Sequence, residues 1–207
     1  MIAKSNIKHN LYRFWGQLSP KTLAQHLYKK RLGKRIDWDN PKDLNEKIQW
    51  LKFYSDTSEW TRLADKYEVR EYVKEKGFGE NLVKLYGKWD KAENIDWVSL
   101  PDKFVMKVNN GSGDVVVCSD KKKLDINEVS KYFNKMLKRK YGFSTAEPHY
   151  LDIPPCIIAE EMLDVSKQPI VSSSLIDYKI WCFEGKPECV WACYNRKKGS
   201  VEVATYD

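Results

Sequence analysis

The sequence predicts an α+β fold with antiparallel sheets, and three observations carry that reading. Helical periodicity runs through the first third of the chain and returns once later. At Phe104 the period changes to strand-like alternation. Several strand-like runs then follow one another after residue 155, two of them joined by a short turn, so strands and helices are segregated rather than alternating.

The elements follow in order. Residues 1–36 are basic and hold a short amphipathic stretch around Leu23, Leu27 and Leu32. A clearer helix is expected from Asn40, which can cap. Pro41 suits the first helical position, and Leu44, Ile48 and Leu51 recur at i, i+4, i+7. A third helix is expected over roughly 63–76, with Val69, Tyr72 and Val73 on one face and Gly77 ending it. In KFVMKV, Phe104, Met106 and Val108 alternate with Val105 and Lys107, the pattern of a strand. NNGSGD follows at once, then a second strand over 114–118. Asp125 and Glu128 resemble a capping box, opening a helix whose apolar face is Val129, Tyr132, Phe133, Met136 and Leu137, with Gly142 closing it. Residues 144–155 read as loop. CIIAEEML, DYKIWCF, ECVWACYNR and VEVAT read as strands, with EGKP (184–187) as a hairpin turn. The chain stops just after a strand, so the C-terminal part is expected to be incomplete.

Composition narrows the function classes. The 207 residues are 42% hydrophobic and 13% aromatic, enough for a buried core in one domain or two small ones. No stretch approaches the ~20 apolar residues of a membrane span, and no apolar run follows Lys4 and Lys8 as a signal peptide would require, so a cytoplasmic protein is expected. The five cysteines show no CxxC spacing and mostly fall in apolar runs, which reads as buried free thiols in a reducing compartment. With only His9, His26 and His149, a histidine-based catalytic network is disfavoured. The net charge of +7 is mostly carried by cations interleaved with acids, as in DKYEVREYVKEK, and no nucleic-acid recognition signature is present. The denser cluster Lys29, Lys30, Arg31, Lys34 and Arg35 could meet an anionic membrane or an acidic polymer.

Four segments could carry chemistry. In LPDKFVMKVNNGSGD (100–114) a strand lysine, Lys107, precedes a glycine-rich loop. Gly111 and Gly113 would let the backbone approach a ligand, Ser112 and successive amides could bind phosphate oxygens, and Lys107 would add a point charge. The loop is not a Walker A, because it lacks GKS/GKT and runs strand to strand. A plain hairpin turn built on Asn109, Asn110 and Gly111 accounts for the same residues equally well. In IIAEEML a strand ends in Glu160 and Glu161, which could accept from an adenine amino group or a ribose hydroxyl, or could simply be solvated. In IDYKIWCF, Asp177, Lys179 and Trp181 share a face, as ligand contacts or as a sheet-surface ion pair. In LADKYEVREYV, Asp65, Lys66 and Arg70 could decorate a helix surface.

Together, PKDLNEKIQWLKFY, DKYEVREYV, LVKLYGKWD, LPDKFVMKVNNGSGD, DK (120–121), EPHY, IIAEEML and DYKIWCFEGKP occur in an order that resembles the TupA-like branch of the ATP-grasp superfamily, over about residues 33–207. The resemblance implies a two-lobe ATP-grasp-like fold: a basic helical N-terminal region (1–62), a first lobe (63–159) and the start of a second (160–207). It implies ATP and Mg²⁺, a role in surface polysaccharide biosynthesis, and activation of a carboxylate for amide formation. An acidic polysaccharide or its precursor would be the partner. By similarity Lys107 would contact the phosphates, with Asn109, Gly111, Ser112 and Gly113 covering them. Glu160, Glu161 and Met162 would meet the adenine edge, and Asp177 and Lys179 would reach ribose or phosphate. Asp65 and Lys66 match the family's DK pair. Asn110 stands where a histidine would be expected, and the acid–acid–Asn metal set is not seen between Asp177 and Asp207, so its ligands are expected beyond residue 207. Some members are described as glycosyltransferases. That alternative would use the DxD-like Asp37-Trp38-Asp39, and a non-catalytic remnant is a third reading.

Overall fold

The structure is a computed structural model that describes residues 2–197 and 199–207. It has two compact units, Met1–Glu161 and Met162–Asp207. In the first unit the order is α1 (Ile2–Leu18), α2 (Pro20–Leu32), α3 (Leu44–Tyr54), α4 (Ser58–Ala64), α5 (Glu68–Glu75), β1 (Leu85–Trp89), β2 (Phe104–Val108), β3 (Val115–Cys118), α6 (Ile126–Leu137), α7 (Tyr141–Thr145) and β4 (Ile157–Glu160). The second unit holds β5 (Asp177–Phe183), β6 (Lys186–Lys197) and β7 (Ser200–Tyr206). The expected α+β class with antiparallel sheets is what the chain forms.

The four strands of the first unit pair antiparallel in the order β1-β4-β2-β3. Alternation along β2 sorts its residues by face. Phe104, Met106 and Val108 are buried and join Ile157 and Ala159 of β4 and Phe133 of α6 in the main core. Val105 and Lys107 point to the other face, with Ile158 and Glu160 beside them in the register. One sheet face is thus sealed by α6, and the other carries Lys107. Asp125 caps α6 as expected, accepting from the Glu128 amide at 2.9 Å.

Local expectations failed in five instructive places. The helix expected from Asn40 begins at Leu44. Asp43 accepts the Glu46 amide (2.9 Å) and Glu46 accepts the Lys42 amide (2.8 Å), while Asp37 takes the amides of Asp39 and Asn40. A residue before proline is disfavoured in helical backbone, so Asn40 loses to Asp43. The apolar face expected there, Leu44, Ile48 and Leu51, is largely exposed. The helix expected over 63–76 breaks into α4 and α5, because Asp65 leaves the helical region and accepts the Tyr67 amide at 2.8 Å. Gly142 does not close α6, which ends at Lys138. It lies inside α7, whose last two residues enter the segment 144–155 expected as loop, and a Cβ there would stand 2.3 Å from the Glu147 carbonyl oxygen. Strand β1 escaped the periodicity because Gly87 interrupts it, and the Trp89 ring occupies the space a side chain would need.

The fifth place is α1. Its apolar residues form two stripes rather than one, so no single amphipathic face stands out. Trp15 and Tyr12 pack inward around His26. Gly16 presses on α7, where a Cβ would sit 1.8 Å from the Phe143 carbonyl oxygen.

The second unit is a three-stranded antiparallel sheet in the order β5-β6-β7. Glu184 (φ 51°) and Gly185 (φ 78°) form the expected hairpin turn, both in the left-handed conformation such turns require. All five cysteines are free. Cys118, Cys156 and Cys193 are buried as expected, whereas Cys182 is exposed, since β5 presents both faces largely to solvent, and Cys189 on β6 is half-buried.

Because Gly16 meets backbone rather than a movable side chain, Gly16→Ala is expected to lift α1 from α7 and destabilise the first unit by about 1–3 kcal/mol. Urea unfolding followed by tryptophan fluorescence checks this. An unchanged midpoint would mean that α1 is not docked through Gly16.

Candidate functional site

The break at Asp65 is what builds the site. With the helix interrupted, Asp65 and Lys66 turn toward the end of β2 instead of continuing along a solvent face. The Asn109 amide group donates to Asp65 Oδ1 (2.9 Å) and to the Pro154 carbonyl (2.9 Å), and its Oδ1 accepts the Cys156 amide (2.7 Å). Its backbone amide donates to the Cys156 carbonyl (3.0 Å), and its carbonyl accepts from both the amide (3.3 Å) and the ammonium (3.1 Å) of Lys66. Asn109 is 1% exposed and every polar group of its side chain is engaged within the protein. It therefore anchors the loop rather than presenting itself to a ligand. Burial, with the Asp65 charge adding to it, pushes the nearby Cys156 thiol up to about 12, so it stays protonated.

Beyond Asn109 the chain runs through Gly111, Ser112 and Gly113 to Asp114. Gly113 lies at φ 84° with open space around it. Gly111 is buried, and a Cβ there would be 3.0 Å from an Asp114 oxygen. Asp114 is held from the far side by Arg139 at 3.2 Å, and Ser112 meets the Tyr141 hydroxyl. The loop is thus pinned at both ends and exposed at Ser112 and Gly113.

The face of the sheet below it is cationic. Glu160, 5% exposed, accepts from Arg70 of α5 (3.0 Å) and from Lys107. Arg70 also donates to the Val83 carbonyl at 2.6 Å. Lys66 donates to the Gly111 carbonyl besides Asn109. Burial, and then the charge of Lys107, lower the pKa of Lys66 from its ordinary value. Three cations thus share two carboxylates, Glu160 and Asp65. Beside Lys107 on the same face lie Val105 and the exposed Val115 and Val117, which the β2–β3 register sets opposite Lys107 and Val105. A flat apolar strip, a lysine and a glycine-rich loop can accept an aromatic ring with a phosphate tail.

The remaining residues singled out from the sequence fall as follows. Glu161 is exposed, and its amide donates to the Lys84 carbonyl at 2.9 Å. Met162, Asp177 and Lys179 belong to the second unit, where Asp177 pairs with Lys179 (2.8 Å) and Arg196 (3.2 Å) on the sheet surface. Asp37 spends an oxygen on the turn into Asn40, and Trp38 packs edge-on against Phe53, so this DxD-like triplet is a folded turn. Arg70, expected with Asp65 and Lys66 to decorate a helix surface, is instead buried and reaches Glu160. Its signal was a charge three residues before Val73, on the side of the helix that turns inward. A separate cavity of about 880 Å³ lies between α2, α3 and α7, lined by Lys30, Arg31, Lys52, Ser144, Thr145 and Glu147 among others.

No three His, Cys, Asp or Glu side chains come together as a metal-binding group among the described residues. The described residues do not fit the implied Mg²⁺.

The fold is that of an α+β protein with two antiparallel sheets. The chain belongs to the TupA-like ATP-grasp family: the family model described as TupA-like ATPgrasp matches residues 46–199. No curated protein and no solved structure matches the chain.

Asn109→Ala leaves the buried Cys156 amide without its partner and takes one hydrogen bond from the buried Asp65 carboxylate, and a loss of about 3–5 kcal/mol is expected in urea unfolding. A near-wild-type midpoint would show that the Asn109 amide is not structural.

Proposed function

We propose that the chain is an ATP-dependent ligase of cell-surface polysaccharide biosynthesis, working on the cytoplasmic side. ATP would transfer its terminal phosphoryl group to a carboxylate, giving an acyl-phosphate and ADP. An amine would then displace phosphate to form an amide. The observation that supports this reading, beside the family membership, is the Lys107–Gly111–Gly113 arrangement: a strand lysine below an anchored glycine-rich loop, on a sheet face with exposed valines.

Each group has a part in this scheme. Amides of the loop between Gly111 and Asp114 would receive phosphate oxygens, since successive backbone N–H groups around left-handed glycine form an anion-binding concavity. Lys107, held by Glu160, would supply a positioned charge. Lys66 is a partly desolvated cation whose burial its carbonyl partners and the nearby Asp65, Asp114 and Glu160 offset only in part, and a polyphosphate would add counter-charge. Below the folded pKa of Lys66 the burial penalty is fully in force, and it is relieved as pH rises through that value toward 10.5. A bound polyanion raises the Lys66 pKa again. Asn109 and Asp65 hold the loop at its root.

ATP at a hundredfold excess over its dissociation constant is expected to raise the melting temperature by about 5–10 °C. Lys107→Ala should abolish most of that shift. Absence of a shift in the wild type, or an unchanged shift in Lys107→Ala, would sink the proposal. Between the folded pKa of Lys66 and 10.5, ATP binding should take up protons, read by calorimetry in buffers of different ionisation enthalpy. Lys66→Met should remove the uptake.

A further inference from the structure

We propose that α1 and α2 form a docking surface for an anionic lipid bilayer, with α1 lying in the headgroup region. Two independent observations carry this, and neither depends on the nucleotide reading.

The first is an apolar stripe with nothing packed on it. Ile7, Leu11, Phe14 and Leu18 recur at i, i+4, i+7, i+11 of α1, which places them within a narrow arc on one side of the helix. They are 61%, 62%, 63% and 69% exposed. The opposite side of the same helix is the docked one, through Tyr12, Trp15 and Gly16. The helix therefore has a full inner contact and a second apolar face directed at solvent, which a folded protein gains nothing from unless something covers it.

The second is charge. Nine of the 36 Lys and Arg residues, and none of the 29 Asp and Glu residues, fall in positions 1–36. The other 171 residues are net acidic by two, so the whole excess of +7 comes from this helical pair. Among its cations, Lys34 is neutralised by Asp43 and Glu46, which removes it from the cluster expected to meet an anionic surface. Lys30 donates to the Tyr12 hydroxyl at 3.4 Å. Lys8 also stands over the Tyr12 ring, so two cations from α1 and α2 converge there. Lys29, Arg31 and Arg35 are exposed.

An exposed apolar stripe within an acid-free cationic region matches the two halves of a bilayer surface, acyl chains and anionic headgroups. A protein partner would have to supply both a groove for the stripe and a surplus of acids. No helix among the described residues is long and apolar enough to cross a membrane, so the contact is peripheral.

The test is co-sedimentation of the full chain with vesicles of 30% phosphatidylglycerol in phosphatidylcholine, and with pure phosphatidylcholine. Binding is expected to the anionic vesicles only, and to fall steeply in 0.5 M NaCl. Leu11→Ser/Phe14→Ser, on exposed positions, should weaken it at least tenfold with unchanged circular dichroism. Lys29→Gln/Arg31→Gln/Arg35→Gln should weaken it on the order of a hundredfold, at about fivefold per cation. The proposal is overturned by equal binding to both vesicles or by either variant binding as tightly as wild type. It is also overturned if light scattering shows a dimer that Leu11→Ser/Phe14→Ser converts to monomer, because the stripe would then meet a second copy.

Discussion

The buried side chain of Asn109 ties together three stretches of chain that are far apart in sequence. It bonds Asp65 at the break between α4 and α5, the Pro154 carbonyl and the Cys156 amide ahead of β4, and it stands itself at the exit of β2. Losing this side chain would leave the buried Cys156 amide without its partner and the buried Asp65 carboxylate with one bond fewer, which buried polar groups tolerate poorly. The entry to β4, the direction of α5 and the root of the glycine-rich loop are all set relative to this amide. The position of Lys66 follows, because its ammonium is held by the Asn109 and Gly111 carbonyls.

The electrostatics of the sheet face build on that frame. Glu160 is buried between Arg70 and Lys107, with an oxygen for each. Such a cluster is stable only while all its members are present, since losing the carboxylate strands two cations in a poorly solvated place. Lys66 adds a third cation nearby. Its lowered pKa reflects burial first and then the charge of Lys107. Above this face the Asp114–Arg139 pair holds the far end of the glycine-rich loop.

Charge is distributed on a second scale as well. The acid-free pair α1 and α2 is attached to a body that is slightly acidic. Gly16 makes this attachment close, so the cationic pair is part of the first unit rather than a tail. Its outward stripe and its inward contacts come from the same helix, which is why neither face is conspicuous in the sequence.

The α+β class, strands β2 to β7, helix α6 with its Asp125 cap and the 184–187 turn were legible from the sequence alone. Each rests on interactions between residues a few positions apart: alternation, i to i+3 capping and left-handed turn residues. The motif order likewise pointed to the TupA-like ATP-grasp family. Only the tertiary structure decided that the 63–76 helix breaks at Asp65, that Asn109 faces inward and that Arg70 reaches Glu160. Those outcomes depend on hydrogen bonds spanning 44 and 90 residues, which outweigh local helix propensity where burial makes an unpaired polar group costly.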